Sequence, residues 1–143
     1  VILPAVAAFR PDAVVLQCGA DAVAEDPQSR LTLSNSALWA IVAALRGMAP
    51  RYLVLGGGGY NPWSVGRAWT GVWGTLIGTD IPAVLPDAAQ SVLAALRWDG
   101  PVRRHMPQPH WITTLQDAPR NGPISDALRQ DADALAARLA AWV

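Results

Sequence analysis

The sequence has 143 residues, 52% of them hydrophobic, enough to bury a core as one domain or as a piece of a larger one. Its 11 basic residues, all arginine, balance 11 acidic ones, and this neutrality gives no electrostatic footprint for direct nucleic-acid binding or for an anionic membrane. The absence of lysine excludes a P-loop lysine and a Schiff-base lysine within the chain, and a single cysteine, Cys18, excludes an internal disulfide framework and points to a reducing, cytoplasmic setting.

The chain begins at Val1 without a methionine and enters apolar sequence at once, so its natural N-terminus is expected further upstream. Val1 to Phe9 reads as the end of a helix running into Pro11. Ala13 to Gln17 (AVVLQ) is a continuous apolar run, the pattern of a strand buried on both faces of a parallel sheet. Cys18-Gly19-Ala20-Asp21 follows as the loop at that strand's C-terminal end. Ser36 is placed to cap a helix whose Leu38, Ile41, Val42 and Leu45 share one face, with Gly47 closing it.

Tyr52 to Leu55 (YLVL) reads as a second buried strand, entering Gly56-Gly57-Gly58-Gly59-Tyr60-Asn61-Pro62 directly. Ser64 is placed to cap the next helix, with Val65, Ala68, Trp69, Val72, Trp73, Leu76 and Ile77 as its apolar stripe. Strand, helix, strand, helix in this order predicts an α/β fold with a parallel sheet. Beyond Gly78, Asp87 is placed to cap a short helix carrying Val92, Leu93 and Leu96. Residues 99–123, rich in Pro, Arg and Gly, read as an irregular surface segment. A last helix from about Ser125 is expected to turn Leu128, Leu135, Leu139 and Trp142 inward. No apolar run approaches the roughly 18 to 20 residues a membrane span requires. Two apolar strands are too few for a stable sheet covered on both faces, so the pattern itself reads as part of a larger α/β domain.

In open α/β sheets ligands bind beyond the carboxyl ends of the strands, and both candidate sites lie there. Asp21 follows a Gly-Ala pair that brings backbone close to whatever sits above the strand; its carboxylate suits either a metal or a turn. Asp26, before Pro27, is a weaker candidate of the same kind and reads more readily as a turn residue or as one that supports the ligand from behind. Four consecutive glycines are costly to order, and such a run marks close approach of backbone to a ligand or backbone needing positive φ. Tyr60 then offers a neutral phenol donor suited to a developing oxyanion, or else packs. An alternative is a nucleotide-binding α/β domain using Gly56 to Gly59 for phosphate, although Asn61 stands where GxGxxG requires glycine. Neither His105 nor His110 has metal-ligand spacing, and both read as surface-loop residues. Cys18 reads as a small buried hydrophobe, and Trp69 and Trp73 as packing residues.

Two of these segments resemble one known family. Pro11 to Asp21 (PDAVVLQCGAD), continued by Asp26, Leu31 to Asn35 and the following helix, is similar to the strand and loop bearing a metal-binding aspartate in the histone deacetylase and acetoin-utilisation family. Tyr52 to Asn61, with LVLGGGGYN, resembles that family's glycine-rich loop and its catalytic tyrosine, and Gly66 to Thr70 resembles the helix after it. The resemblance covers about residues 1–80, and a tail such as 81–143 is usual in the bacterial acetoin-utilisation branch; abundant alanine with arginine as the only basic residue also suits a GC-rich bacterial source. It implies the C-terminal part of a single three-layer, arginase/deacetylase-like α/β domain over residues 1–143, with residues 81–143 as a peripheral extension. It also implies zinc as cofactor, Asp21 as a zinc ligand, Tyr60 as the transition-state tyrosine, and Gly58 and Gly59 lining the acyl pocket. The substrate implied is an acetylated lysine or a small acetylated amine such as a polyamine. The paired histidines and the Asp-x-His ligands of the family have no match in the chain, so the fragment is expected to be inactive alone. A non-catalytic truncated module is the alternative within the same resemblance.

Overall fold

The computed structural model describes residues 1–97 and 107–141. Helix α1 (Ile2–Phe9) leads to strand β1 (Ala13–Gln17), a single 3-10 turn at Ala20–Ala22, and α2 (Asn35–Leu45). Strand β2 (Arg51–Leu55) and the long α3 (Pro62–Ile77) follow, then α4 (Asp87–Ala95), α5 (Pro109–Thr113) and α6 (Asp126–Ala140). The two strands pair in parallel, from Ala13 opposite Arg51 to Gln17 opposite Leu55. Parallel pairing puts the loops leaving β1 and β2 at one end of the sheet, which is what brings residues 18–26 and 56–61 together.

One face of the sheet carries the core. Leu16, Tyr52 and Val54 pack on buried Cys18, Ala20, Leu38, Trp39, Val42, Ala68 and Val72, so α2 and α3 cover this side. The two helices are locked at Trp39, whose indole Nε1 donates to the Ala68 carbonyl at 2.9 Å. Its ring lies over Gly71, where a Cβ would overlap it. The opposite face is open: Val15, Leu53 and Leu55 are exposed. The expectation of burial on both faces is therefore met on one face only, because the chain supplies covering helices to one side.

Several local expectations are corrected. The cap of α2 is Ser34, whose hydroxyl accepts from the Ala37 N–H, while Ser36 pairs with Ser34. The cap of α3 is Asn61, followed by Pro62 at the first helical position, and Ser64 lies inside the helix. Asp87 begins α4 without capping it; Pro86 holds that position. Ile41, Trp73, Ile77, Val92 and Leu96 are exposed, as are Leu128 and Leu135 of α6; Trp142 lies outside the described residues. Within the segment read as irregular surface, α5 buries Trp111 and the chain beyond it buries Asp117, while His105 lies outside the described residues. Among the described residues no helix is long and apolar enough to cross a membrane.

Candidate active site

The loop after β1 and the loop after β2 are stitched together by their own backbone. Cys18 N–H donates to the Leu55 carbonyl at 2.9 Å, continuing the ladder, and Ala20 N–H donates to the Gly58 carbonyl at 2.6 Å. Gln17 Nε2 reaches the Gly56 carbonyl at 3.3 Å. These contacts need glycine: a Cβ on Gly57 would strike the Gln17 amide and the Gly19 backbone, and one on Gly58 would strike the Asp21 carboxylate. Gly59, at φ +154°, holds a backbone shape that a side chain would strain, and its missing Cβ leaves room for Val65 and Ala20. The cost of ordering four glycines thus goes into close packing of two loops.

Asp21 sits on the 3-10 turn, exposed, with its carboxylate against Gly58 and Gly19. Among the described residues its carboxylate has no hydrogen-bond or ionic partner. An exposed carboxylate fitted into a cradle of two glycines and left without a donor suits one ligand position of a hard or borderline cation. Among the described residues no three His, Cys, Asp or Glu side chains gather into a metal cluster. The residues present therefore fit a metal as one ligand of a set, and the other donors are not among them.

Tyr60 is half exposed, 50%, at the mouth of the same loop, and among the described residues its hydroxyl has no hydrogen-bond partner. Its backbone N–H donates to Oδ2 of Asp26 at 2.5 Å. The next residue, Asn61, is buried and works at both ends: Oδ1 caps α3 by accepting from Trp63 and Ser64, and Nδ2 donates to the Glu25 carbonyl at 2.9 Å. Asp21, Gly58, Gly59 and Tyr60 accordingly share one end of the sheet. A phosphate there would meet the exposed carboxylate of Asp21 and the capped start of α3, so the nucleotide reading gains no support from this geometry.

Other placements concern the frame. Arg67 on α3 makes a buried ion pair with Asp117 at 2.5 Å, the two side chains being 5% and 7% exposed. The other Asp117 oxygen accepts from the Asn35 N–H at 3.1 Å, and Asn35 exchanges two further hydrogen bonds with Leu115 and Asp117 backbone. This network fixes the start of α2 and the first half of α3, whose preceding loops form the site, to residues 114–117. Cys18 is buried beneath the loop, and burial pushes its thiol up from the ordinary range. His110 is exposed on α5. A separate apolar concavity between α1 and α6, lined by Pro4, Ala8, Ala136 and Leu139, carries no acidic group.

Sequence points to Asp26 only as a weak candidate or turn residue, without its link to Tyr60, and does not point to the Arg67–Asp117 pair at all. Asp26 gave a local signal, an aspartate before proline, that a turn explains fully. Asp117 gave none, because its partners lie 50 and 82 positions away.

An HDAC homolog from Aquifex aeolicus superposes with a TM-score of 0.73 at 30% identity, over 92% of this chain and 36% of that one. The structure of an HDAC homolog complexed with SAHA does so at 0.70 and 29%, over 92% of this chain and 37% of that one. The sheet and helices are therefore those of the HDAC-like α/β fold. The model of the histone deacetylase domain matches residues 1–76, and the chain belongs to the histone deacetylase family. Among curated relatives, histone deacetylase 8 of Danio rerio is 37% identical over 81 residues, 57% of this chain and 21% of that protein. Histone deacetylase 9 of Arabidopsis thaliana is 37% identical over 87 residues, 61% of this chain and 20% of that protein. The chain thus spans about a fifth of the curated relatives it matches.

Proposed function

We propose that this chain supplies one side of the active site of a zinc-dependent amidohydrolase that removes acyl groups from lysine or from small amines. The reading rests on one observation above the rest: the free Asp21 carboxylate and the Tyr60 loop occupy the same end of a parallel strand pair, joined through Gly58. In this reading Asp21 would hold zinc as one of its protein ligands, and the others would come from sequence upstream of Val1. Zinc, when bound, supplies Lewis-acid polarisation of the acyl carbonyl and an activated water.

The chain's own residues do the rest of their share by position. The Tyr60 hydroxyl donates to the carbonyl oxygen and binds it more strongly as negative charge develops there. Gly58 and Gly59 bring bare backbone to the acyl group, since any side chain at either position would collide with Asp21 or Val65. An HDAC homolog of the same fold over most of this chain is complexed with SAHA, which supports a ligand-binding role for a protein built on this fold. The composition suits a GC-rich bacterial source, and the resemblance extends to the acetoin-utilisation branch, whose setting would be cytoplasmic.

The test compares the 143-residue chain with the complete gene product. Zinc is measured after dialysis against a weak chelator, and turnover with a fluorogenic acetyl-lysine substrate. The complete product should retain one zinc and turn over, and the isolated chain should do neither. Turnover and one retained zinc in the isolated chain would overturn the assignment of ligands upstream.

A further inference from the structure

Asp26 places a carboxyl group at a position only 5% exposed, and among the described residues no arginine pairs with it. A buried carboxylate without a cation is expensive unless its oxygens are hydrogen-bonded. Here each oxygen serves a different backbone. Oδ1 accepts from the Gln28 N–H at 2.9 Å, closing a local turn over Pro27. Oδ2 crosses 34 positions to accept from the Tyr60 N–H at 2.5 Å. The turn alone would be served by asparagine, which offers one acceptor oxygen. Accepting from two N–H groups on separate oxygens is what the second oxygen of the Asp26 side chain adds.

The position of the second bond matters as much as its chemistry. Tyr60 ends a run of four glycines that has no side chains of its own to hold it. Its ring is half exposed, and its hydroxyl has no partner among the described residues. The backbone of Tyr60 is thus tied at the residue itself, by Asp26, and again one residue later by Asn61 to the Glu25 carbonyl. Residues 23–26 are in turn fixed to Leu33, through the Ala24 N–H on the Leu33 carbonyl at 3.0 Å, so the anchor is itself anchored.

We infer that Asp26 is the positioning residue for Tyr60: its carboxylate fixes the backbone from which the phenol is presented, and it acts on the reaction through Tyr60 alone. This rests on the proposed role of Tyr60, and the test separates the two. In the complete zinc-replete gene product, Asp26→Asn should lower kcat about tenfold, the scale of one charge-assisted hydrogen bond, with KM changed less than about twofold. In a Tyr60→Phe background the same substitution should cost less than about twofold, because nothing remains to be positioned. Independently of activity, amide hydrogen exchange of a peptide spanning residues 56–61 should quicken in Asp26→Asn while that of α2 stays unchanged. If exchange also quickens in α2, the variant has loosened globally, and Asp26→Glu, which keeps two acceptor oxygens, is carried through the same cycle. A full loss in both backgrounds, with either variant, would overturn the positioning role while leaving Tyr60 in place. A Tyr60→Phe enzyme as fast as its parent would remove the function assigned to Tyr60, and the positioning role with it.

Discussion

The carboxylate of Asp21 occupies the space that a side chain on Gly58 would take. Gly58 is therefore half of the Asp21 position, although it contributes no functional atom of its own. Gly58→Ala in the complete gene product should push Asp21 aside and weaken zinc retention by about 10- to 100-fold, the scale of losses when a ligand's support is disturbed. Asp21→Ala should remove most of the zinc, whereas Asp26→Ala should keep most of it. Gly66→Ala is the control, since a Cβ there meets open space on α3. It should retain zinc and stabilise the fold by about 0.5–1 kcal/mol. Metal analysis after chelator dialysis decides; normal zinc in Gly58→Ala and Asp21→Ala would remove Asp21 from the ligand set.

Arg67 and Asp117 form the buried ion pair that ties α3 to the segment after α5. Asp117→Ala would strip the partner from a guanidinium with almost no access to water, and would also free the Asn35 N–H. The expected cost is about 3–5 kcal/mol of folding stability, read by urea unfolding. Asp126→Ala, on exposed α6, should cost less than about 0.5 kcal/mol. A loss below about 1 kcal/mol for Asp117→Ala, well short of the buried-pair range, would mean that the pair does not anchor the frame.

Cys18 lies 1% exposed beneath the site loops, and burial raises its pKa above the ordinary 9.0. The thiolate is the form that alkylating agents attack, so the folded protein should resist iodoacetamide between about pH 7 and 9 and react quickly in urea. The sign for stability follows. The folded state holds the thiol proton more tightly than the unfolded chain, so this contribution is complete below pH 9.0 and fades as pH rises through the higher folded value. Rapid labelling of the native protein at pH 8, followed by mass spectrometry, would contradict the burial.

Much of the site was legible because its signals are local. The Val-rich run before Gly19-Ala20-Asp21 and the glycine run before Tyr60 each mark a strand end, and parallel pairing puts strand ends together. The start of α3 is misplaced by the Ser64 reading, although Asn61-Pro62, a cap followed by proline, is the stronger local signal. Helix stripes were a poorer guide. Trp73, Ile77 and Leu128 keep helical spacing, yet their faces meet nothing among the described residues that covers them. Spacing says which residues share a face, and burial needs a second surface. Asp26 and Asp117 mark the limit of local reasoning: beyond its local turn with Gln28, Asp26 reaches Tyr60 34 positions away, and Asp117 reaches Arg67 and Asn35 50 and 82 positions away.

Tyr60→Phe in the complete, zinc-replete gene product tests the central claim most directly. The substitution deletes one hydroxyl and keeps the ring, and that hydroxyl has no partner among the described residues, so fold and zinc content should not change. Its hydrogen bond counts mainly once the carbonyl oxygen has become negative, so kcat should fall by about 10²–10³, or about 2.7–4 kcal/mol, while KM moves little. Steady-state kinetics on an acetyl-lysine substrate reads both. A kcat within about threefold of the parent, far below the effect of losing an oxyanion donor, would contradict the account.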